Sequence, residues 1–251
     1  LDSERAYISP AGIFLYTEEN MQQPVTVVIK PFAAWKNIAT GLEPVHGKKN
    51  TYTANNFDIL YDCPVLAGNL EELPSFSINK IPHRFVGYKL GDFEKNLFMD
   101  ELKKVVQAGI DIIGDIPYTH YTFIAIGPGR GGIEHLNNTT VSFEGSSLNT
   151  TGGKERMMSF LAHEYFHHYN VKRIRPAELG PFDYTKPNRS NQLWISEGLT
   201  VYYEYLMLRR AGLTNDEDLL NELQSNIAAY ENGVGHLYQS LVQASYETWS
   251  D

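Results

Sequence analysis

Residues 154–170 read KERMMSFLAHEYFHHYN, and we predict that they form one helix. His163 and His167 lie four residues apart, so their rings project from one face of that helix, one turn apart. That spacing lets two imidazole nitrogens reach one zinc ion at about 2.0–2.1 Å. Glu164 lies about 100° around the helix, where it can contact a water on the ion rather than the ion itself. The segment therefore predicts two ligands for one Zn²⁺ ion per chain, and a general base.

A catalytic zinc ion takes three protein ligands and keeps one open position. The segment LWISEGLTVYYE, residues 193–204, predicts a second helix. If the two helices pack antiparallel, Glu197 can supply the third ligand. Glu204 lies seven residues further along the same face and can orient a ligand histidine, although a solvated charge is the alternative. His168 points away from the two ligand histidines, and we expect it to pack or to contact solvent.

The composition limits the classes of partner. The chain has 251 residues, 42% of them hydrophobic, and a formal net charge of -9. That charge argues against a nucleic-acid partner or an anionic membrane. No apolar run approaches the roughly 20 residues of a membrane helix. Cys63 is the only cysteine, so no internal disulfide can form.

The pattern along the chain predicts an α+β fold. Segments such as VTVVIKPF (25–32), between short Gly/Pro-containing stretches, predict strands over residues 1–80. From residue 92 the apolar period becomes helical, and YTFIAIG (121–127) then predicts a buried strand. The last third of the chain is predicted to be helical. The order is a β-rich region followed by a mixed region in which helices dominate.

Helix boundaries are predicted from capping residues. Asp92 is a candidate N-cap for the first long helix. Gly212 closes the helix that carries Glu197. The next helix is predicted to begin at Thr214, with Glu217 completing a capping box.

The chain resembles the glycyl aminopeptidase family of bacterial metallopeptidases, peptidase family sixty-one. HEYFHHYNVKRIRPAELGPFDY and LWISEGLTVYYE carry the resemblance most strongly, and FDILYDCPVLAG (57–68) is similar to the end of the family's N-terminal β domain. These enzymes are gluzincins, with zinc held by two histidines and a glutamate on a thermolysin-like domain. The resemblance implies that residues 1–80 are part of a β-sandwich-like domain. It implies that residues 81–251 are a thermolysin-like, mainly helical zinc peptidase domain, truncated at its C-terminus.

By the same resemblance, GGIEH (131–135) is similar to the exopeptidase motif of related aminopeptidases. There the glutamate binds the free α-ammonium group of the substrate, and the glycine-rich strand lies beside the peptide. This implies substrate-binding roles for Glu134, Gly131 and Gly132. A carboxylate is a suitable partner for an α-amine, and glycine permits close approach of a peptide backbone. An ordinary carboxylate at the end of a strand is the alternative for Glu134.

The predicted reaction is zinc-dependent peptide hydrolysis, with Glu164 as general base and then general acid. The family resemblance implies removal of small N-terminal residues such as glycine or alanine. It also places an oxyanion-stabilising tyrosine beyond residue 251, so we expect this chain to be a weak catalyst. Tyr230, Tyr238 and Tyr246 are the candidates if that expectation is wrong.

Two alternatives remain open. One is a zinc endopeptidase on the same scaffold, which would have no use for Glu134. The other is a zinc-containing peptide-binding module without turnover, in which Glu164 would have no role. The resemblance also favours a bacterial periplasmic or exported protein.

Overall fold

The computed structural model describes residues 3–150 and 152–250, which fall into two compact units. The first unit comprises residues 3–99 and 117–150. The second comprises residues 100–116 and 152–250. The predicted domain division into residues 1–80 and 81–251 stays a prediction.

The first unit holds the β-strands. They are β1 (Arg5–Ile8), β2 (Val25–Val28), β3 (Asn37–Thr40), β4 (Glu43–Pro44), β5 (Thr51–Ala54), β6 (Val65–Gly68), β7 (Glu71–Glu72), β8 (Phe76–Ile78), β9 (Ile81–Gly87), β10 (Tyr121–Ala125), β11 (Gly132–Glu134) and β12 (Asn138–Val141).

Within the described residues these strands form three sheets. Two of them are small and antiparallel, with the strand orders β1-β6-β3 and β2-β5-β4. The third has the order β11-β12-β10-β9-β7, and β8 also pairs with β9. In that sheet β10 runs parallel to both β9 and β12, and β11 lies antiparallel to β12 at one edge.

Every residue of β10 is buried, as expected for a strand covered on both faces. Aromatic rings pack beside this sheet: Phe85 of β9 lies 5.3 Å from Phe98 and 5.1 Å from Phe143 between ring centroids. A short helix, α1 (Phe57–Tyr61), belongs to the same unit. It begins at Asn56, whose side chain accepts a hydrogen bond from the Ile59 N–H at 2.9 Å.

The remaining helices are α2 (Lys95–Ile113), α3 (Gly153–Phe166), α4 (Leu193–Arg210), α5 (Asp216–Asn232) and α6 (Leu241–Glu247). Short 3₁₀ turns occur at Pro10–Gly12, Glu18–Asn20, Gly145–Asn149, Ala177–Leu179 and Val234–Leu237. Close packing in the second unit depends on Gly109 of α2. A Cβ there would lie 3.0 Å from Met207 of α4 and 3.1 Å from Tyr165 of α3.

The predicted α+β class is confirmed, but three helix boundaries are wrong. The first long helix begins at Lys95 rather than near Asp92, and the Glu94 carbonyl accepts its first hydrogen bond, from Phe98. The helix predicted to reach residue 170 ends at Phe166. The third boundary, at the start of α5, is treated next.

The capping box of α5 lies one residue beyond the predicted position. Asn215, not Thr214, is the N-cap, and its side chain accepts hydrogen bonds from the N–H groups of Glu217 and Asp218. The Asp218 carboxylate in turn accepts the Asn215 N–H at 2.8 Å. An asparagine oxygen and an aspartate three residues later satisfy the free N–H groups as well as the predicted threonine and glutamate would. Over the described residues, no helix combines the length and apolar character needed to cross a membrane.

Candidate metal centre

The second unit brings the three predicted metal ligands together. His163 and His167 come from the end of α3 and Glu197 from the first half of α4, and their donor atoms lie within 4.8 Å of one another. The Nε2 atoms of His163 and His167 are 3.0 Å apart. Glu197 Oε2 lies 3.4 Å from the Nε2 of His163 and 3.6 Å from the Nε2 of His167. Ligand atoms on a tetrahedral zinc ion, each at about 2.0–2.1 Å, are separated by roughly 3.3 Å. The donor set and its spacing therefore fit zinc.

The end of α3 shapes this arrangement. His167 is the C-cap residue and keeps helical dihedral angles, so its N–H still donates to the His163 carbonyl at 3.2 Å. The two rings remain one turn apart, with centroids 4.5 Å apart and planes perpendicular. The helix stops beyond this point because the next bonds are shorter-range: His168 donates to Tyr165, and Tyr169 to Phe166.

Each of the two histidines also has a hydrogen-bond partner at Nδ1, the ring nitrogen that does not face the candidate metal position. Glu204 Oε2 lies 2.7 Å from His163 Nδ1, and its Oε1 accepts a hydrogen bond from Ser159 at 2.7 Å. The Glu204 side chain is 12% exposed, so it is not a solvated charge. A carboxylate at Nδ1 fixes the tautomer in which Nε2 carries the lone pair for a metal.

A backbone carbonyl plays the same part for His167, and the sequence did not reveal it. The Asn170 carbonyl lies 2.8 Å from His167 Nδ1. The Asn170 side chain donates to the Ser196 carbonyl at 2.9 Å and to the Thr200 hydroxyl at 3.1 Å, both on α4. Asn170 thus ties the turn after α3 to the helix that carries Glu197. A contact made by a main-chain carbonyl leaves no side-chain signal at that position.

The charges at the site favour binding of one cation. Burial by itself would lower the pKa of His163, but hydrogen bonds to Glu197 and Glu204 outweigh burial and raise it to about 10. Hydrogen bonds from His163 and His167 lower the pKa of Glu197 to about 2. At neutral pH a proton therefore occupies His163 whenever a metal does not. A metal ion that binds there must displace that proton, so its affinity rises with pH.

Glu164 is buried, with 7% of its surface exposed, on the turn of α3 that carries His163. It lines a cavity of about 510 Å³ bounded by residues of α3, α4 and α5, and His163 and Glu204 line the same cavity. A buried carboxylate beside a metal centre and an open cavity is suitably placed to exchange protons with a bound reactant. His168 is fully buried and packs against Tyr165 and Tyr169, with ring centroids 4.4 Å and 3.7 Å away.

The predicted substrate-binding residues lie in the first unit. Gly132 and Glu134 are the two ends of β11, whose neighbour in the sheet is β12. Gly131 precedes the strand with φ +85, a left-handed conformation that glycine adopts without strain. Glu134 is half-buried and stands opposite Thr139 in the ladder.

The three candidate tyrosines belong to the second unit. Tyr230, Tyr238 and Tyr246 are 50%, 84% and 47% exposed. High exposure is unlike a preorganised oxyanion donor, which works best when it is shielded from water. The source of such a donor stays a prediction.

Two histidines and a glutamate around a helix-borne H-E-x-x-H segment are the donor set expected of a metallopeptidase site. Comparison with protein-family models identifies the family within that class. Residues 156–251 match the model of M61 glycyl aminopeptidase, and residues 1–69 match that of the peptidase M61 N-terminal domain. The chain belongs to the M61 glycyl aminopeptidase family, which confirms the resemblance noted from the sequence.

The chain is similar in structure to an aminopeptidase N family protein from Idiomarina loihiensis, at 26% identity and a TM-score of 0.92. The match covers 100% of this chain and 45% of that one, so the chain spans less than half of that relative's length.

Two further structures match 82% of this chain with lower scores. One is an M1 zinc metallopeptidase from Deinococcus radiodurans, with 15% identity, a TM-score of 0.49 and 43% of that chain covered. The other is Legionella pneumophila aminopeptidase A in complex with aspartic acid, with 14% identity, a TM-score of 0.48 and 22% of that chain covered. Among curated protein sequences, none matches this chain.

Proposed function

We propose that the protein is a zinc-dependent peptidase that removes N-terminal residues from peptides. One observation carries this proposal: the donor atoms of His163, His167 and Glu197 converge at zinc-like spacing while each histidine is oriented through its second nitrogen. Membership of the glycyl aminopeptidase family supports an aminopeptidase, and supports small N-terminal residues such as glycine and alanine as its substrates. The net charge of -9 supports a peptide rather than a nucleic acid as the partner.

His163, His167 and Glu197 would hold the ion. When bound, zinc supplies Lewis acidity, which polarises the scissile carbonyl and acidifies a water molecule. Glu164 accepts a proton from the attacking water and delivers it to the departing amine nitrogen. Glu204 and the Asn170 carbonyl keep both imidazoles in the orientation that this chemistry needs.

Glu134 is proposed to bind the α-ammonium group of the substrate. A carboxylate on an edge strand offers a charge-assisted hydrogen bond to a cationic amine. The glycines at 131 and 132 leave space for a peptide backbone beside that strand. This role separates the aminopeptidase from an endopeptidase on the same scaffold. An aminopeptidase of this kind loses its substrate when the α-amine is acetylated, whereas an endopeptidase does not.

The test is Glu164→Gln in the full-length protein, with zinc content and turnover of an alanine-based dipeptide both measured. Glutamine has the shape of glutamate but cannot accept the proton, so we expect zinc to stay near one per chain and kcat to fall at least 10²-fold. Glu155→Gln, which removes a carboxylate from the same cavity, is the matched control. Unchanged turnover in Glu164→Gln would contradict the mechanism. Absence of turnover in the zinc-loaded parent would favour the peptide-binding alternative.

A further inference from the structure

A buried carboxylate–histidine pair lies in the first unit, next to Glu134 in the sequence. His135 Nδ1 is 3.2 Å from Asp62 Oδ1, and the two side chains are 6% and 9% exposed. The other carboxylate oxygen, Oδ2, accepts the Leu136 N–H at 2.7 Å. Asp62 therefore binds both residues that follow Glu134, one through its side chain and one through its backbone.

The end of β11 is thereby held from two directions. On one side the ladder to β12 pairs Glu134 with Thr139, and the Thr139 hydroxyl donates to the Ile133 carbonyl at 3.1 Å. On the other side, contacts to Asp62 fix the two residues after Glu134. His135 Nε2 has no hydrogen-bond partner among the residues that the structure describes, so Asp62 supplies the polar contact that orients this ring.

Asp62 is itself firmly placed. It is the C-cap of α1, and its N–H donates to the Asp58 carbonyl at 3.1 Å. Its neighbours Leu60 and Cys63 are buried in a cluster with Val27 on β2. Asp62 also lies within residues 1–69, the part that matches the family's N-terminal domain. An anchor in that region therefore reaches the strand end that carries Glu134.

We propose that Asp62 and His135 are positioning residues that fix the Glu134 carboxylate for recognition of the substrate's α-ammonium group. The N-terminal region then has a part in substrate recognition and not only in folding. This inference rests on the amine-binding role proposed for Glu134. A small shift of that carboxylate weakens a charge-assisted hydrogen bond, because such bonds depend steeply on distance and angle.

The experiment measures amine recognition by direct binding, without turnover. Calorimetry gives the dissociation constants of two ligands for the full-length, zinc-loaded protein: alanine hydroxamate and propionohydroxamate, which lacks the α-amine. The dissociation constant of propionohydroxamate divided by that of alanine hydroxamate reports the contribution of the amine, and a general loss of stability or zinc would change both constants together. Glu134→Gln calibrates the ratio, and we expect it to fall at least tenfold.

For the positioning residues, we expect Asp62→Ala and His135→Ala to lower the same ratio about tenfold. His135→Asn should keep it within twofold of the parent, because the asparagine Nδ2 can donate to Asp62 from nearly the position of the histidine Nδ1. Glu72→Gln, which breaks a surface ion pair with Arg84 in the same unit, should leave it unchanged.

The outcomes separate the two proposals. If Glu134→Gln leaves the ratio unchanged, the amine-binding role is wrong and this inference falls with it. If Glu134→Gln lowers the ratio but neither alanine variant does, the positioning role alone is overturned. Should Asp62→Ala not fold, the comparison of His135→Ala with His135→Asn decides the question. Equal ratios in those two variants would overturn the inference.

Discussion

Replacement of Glu204 tests the metal centre through a residue that does not itself bind the metal. Glu204 makes a 2.7 Å contact to His163 Nδ1 and is 12% exposed, so water compensates little for its loss. Removal of such a carboxylate typically lowers metal affinity 10–100-fold, or about 1.4–2.7 kcal/mol. We expect Glu204→Ala to raise the zinc Kd about 100-fold. Glu204→Gln should raise it about tenfold, since the amide oxygen can still accept from Nδ1.

The zinc Kd is measured at pH 7 by competition with a chromophoric chelator of known affinity. Glu222→Gln is the matched control, because that carboxylate lines the same cavity from α5. Zinc binding by Glu204→Ala as tight as in the parent would refute the argument that this carboxylate orients His163. An equal loss in Glu222→Gln would mean that the net charge of the cavity, and not the contact to His163, sets the affinity.

Three further predictions concern pH dependence, packing and helix capping. The pKa of the His83 imidazole is lowered from 6.5 to about 4, mainly by burial, so the unfolded chain takes up the proton first as pH falls. The free energy of unfolding should therefore drop by up to about 3 kcal/mol between pH 6.5 and pH 4, a drop that urea titrations should find missing in His83→Gln. Gly87→Ala should lower the free energy of unfolding, measured in urea, by about 1–3 kcal/mol, because the new Cβ would lie 2.6 Å from the Ala125 Cβ. Gly114→Ala is the comparison: space is open there but φ is +83, so that variant tests backbone strain alone. Asn215→Ala should cost about 1 kcal/mol by thermal unfolding, through loss of the α5 cap, and Asn215→Asp should restore most of it.

Local periodicity made the grouping of the candidate metal ligands predictable. His163 and His167 share a face because of the 3.6-residue helical period, and Glu204 follows Glu197 by two turns on α4. Each of these relations lies within one helix, where spacing in the sequence determines spacing in the structure.

Relations between elements were not predictable in the same way. The contact of His167 Nδ1 with a carbonyl exists because the chain turns back after Phe166, and side-chain bonds from Asn170 to α4 fix that turn. Asp62 and His135 are 73 residues apart in sequence, so no periodic pattern connects them. The start of α5 was misplaced for another reason. Thr214 and Asn215 are both good N-cap residues, and sequence alone does not rank two adjacent candidates.

The early end of α3 has a functional consequence. Had the helix continued through residue 170, the Asn170 carbonyl would point along the helix axis towards a later N–H group, away from the ring of His167. By ending at Phe166, the chain leaves that carbonyl available to the imidazole at 2.8 Å and lets the Asn170 amide reach α4. The same turn that terminates the helix thus sets the tautomer of one ligand and connects the helix of the histidines to the helix of Glu197. Asn170→Ala should therefore loosen both the turn that orients His167 and the connection between that turn and α4. We expect zinc affinity to fall while the contact between Glu204 and His163 is kept.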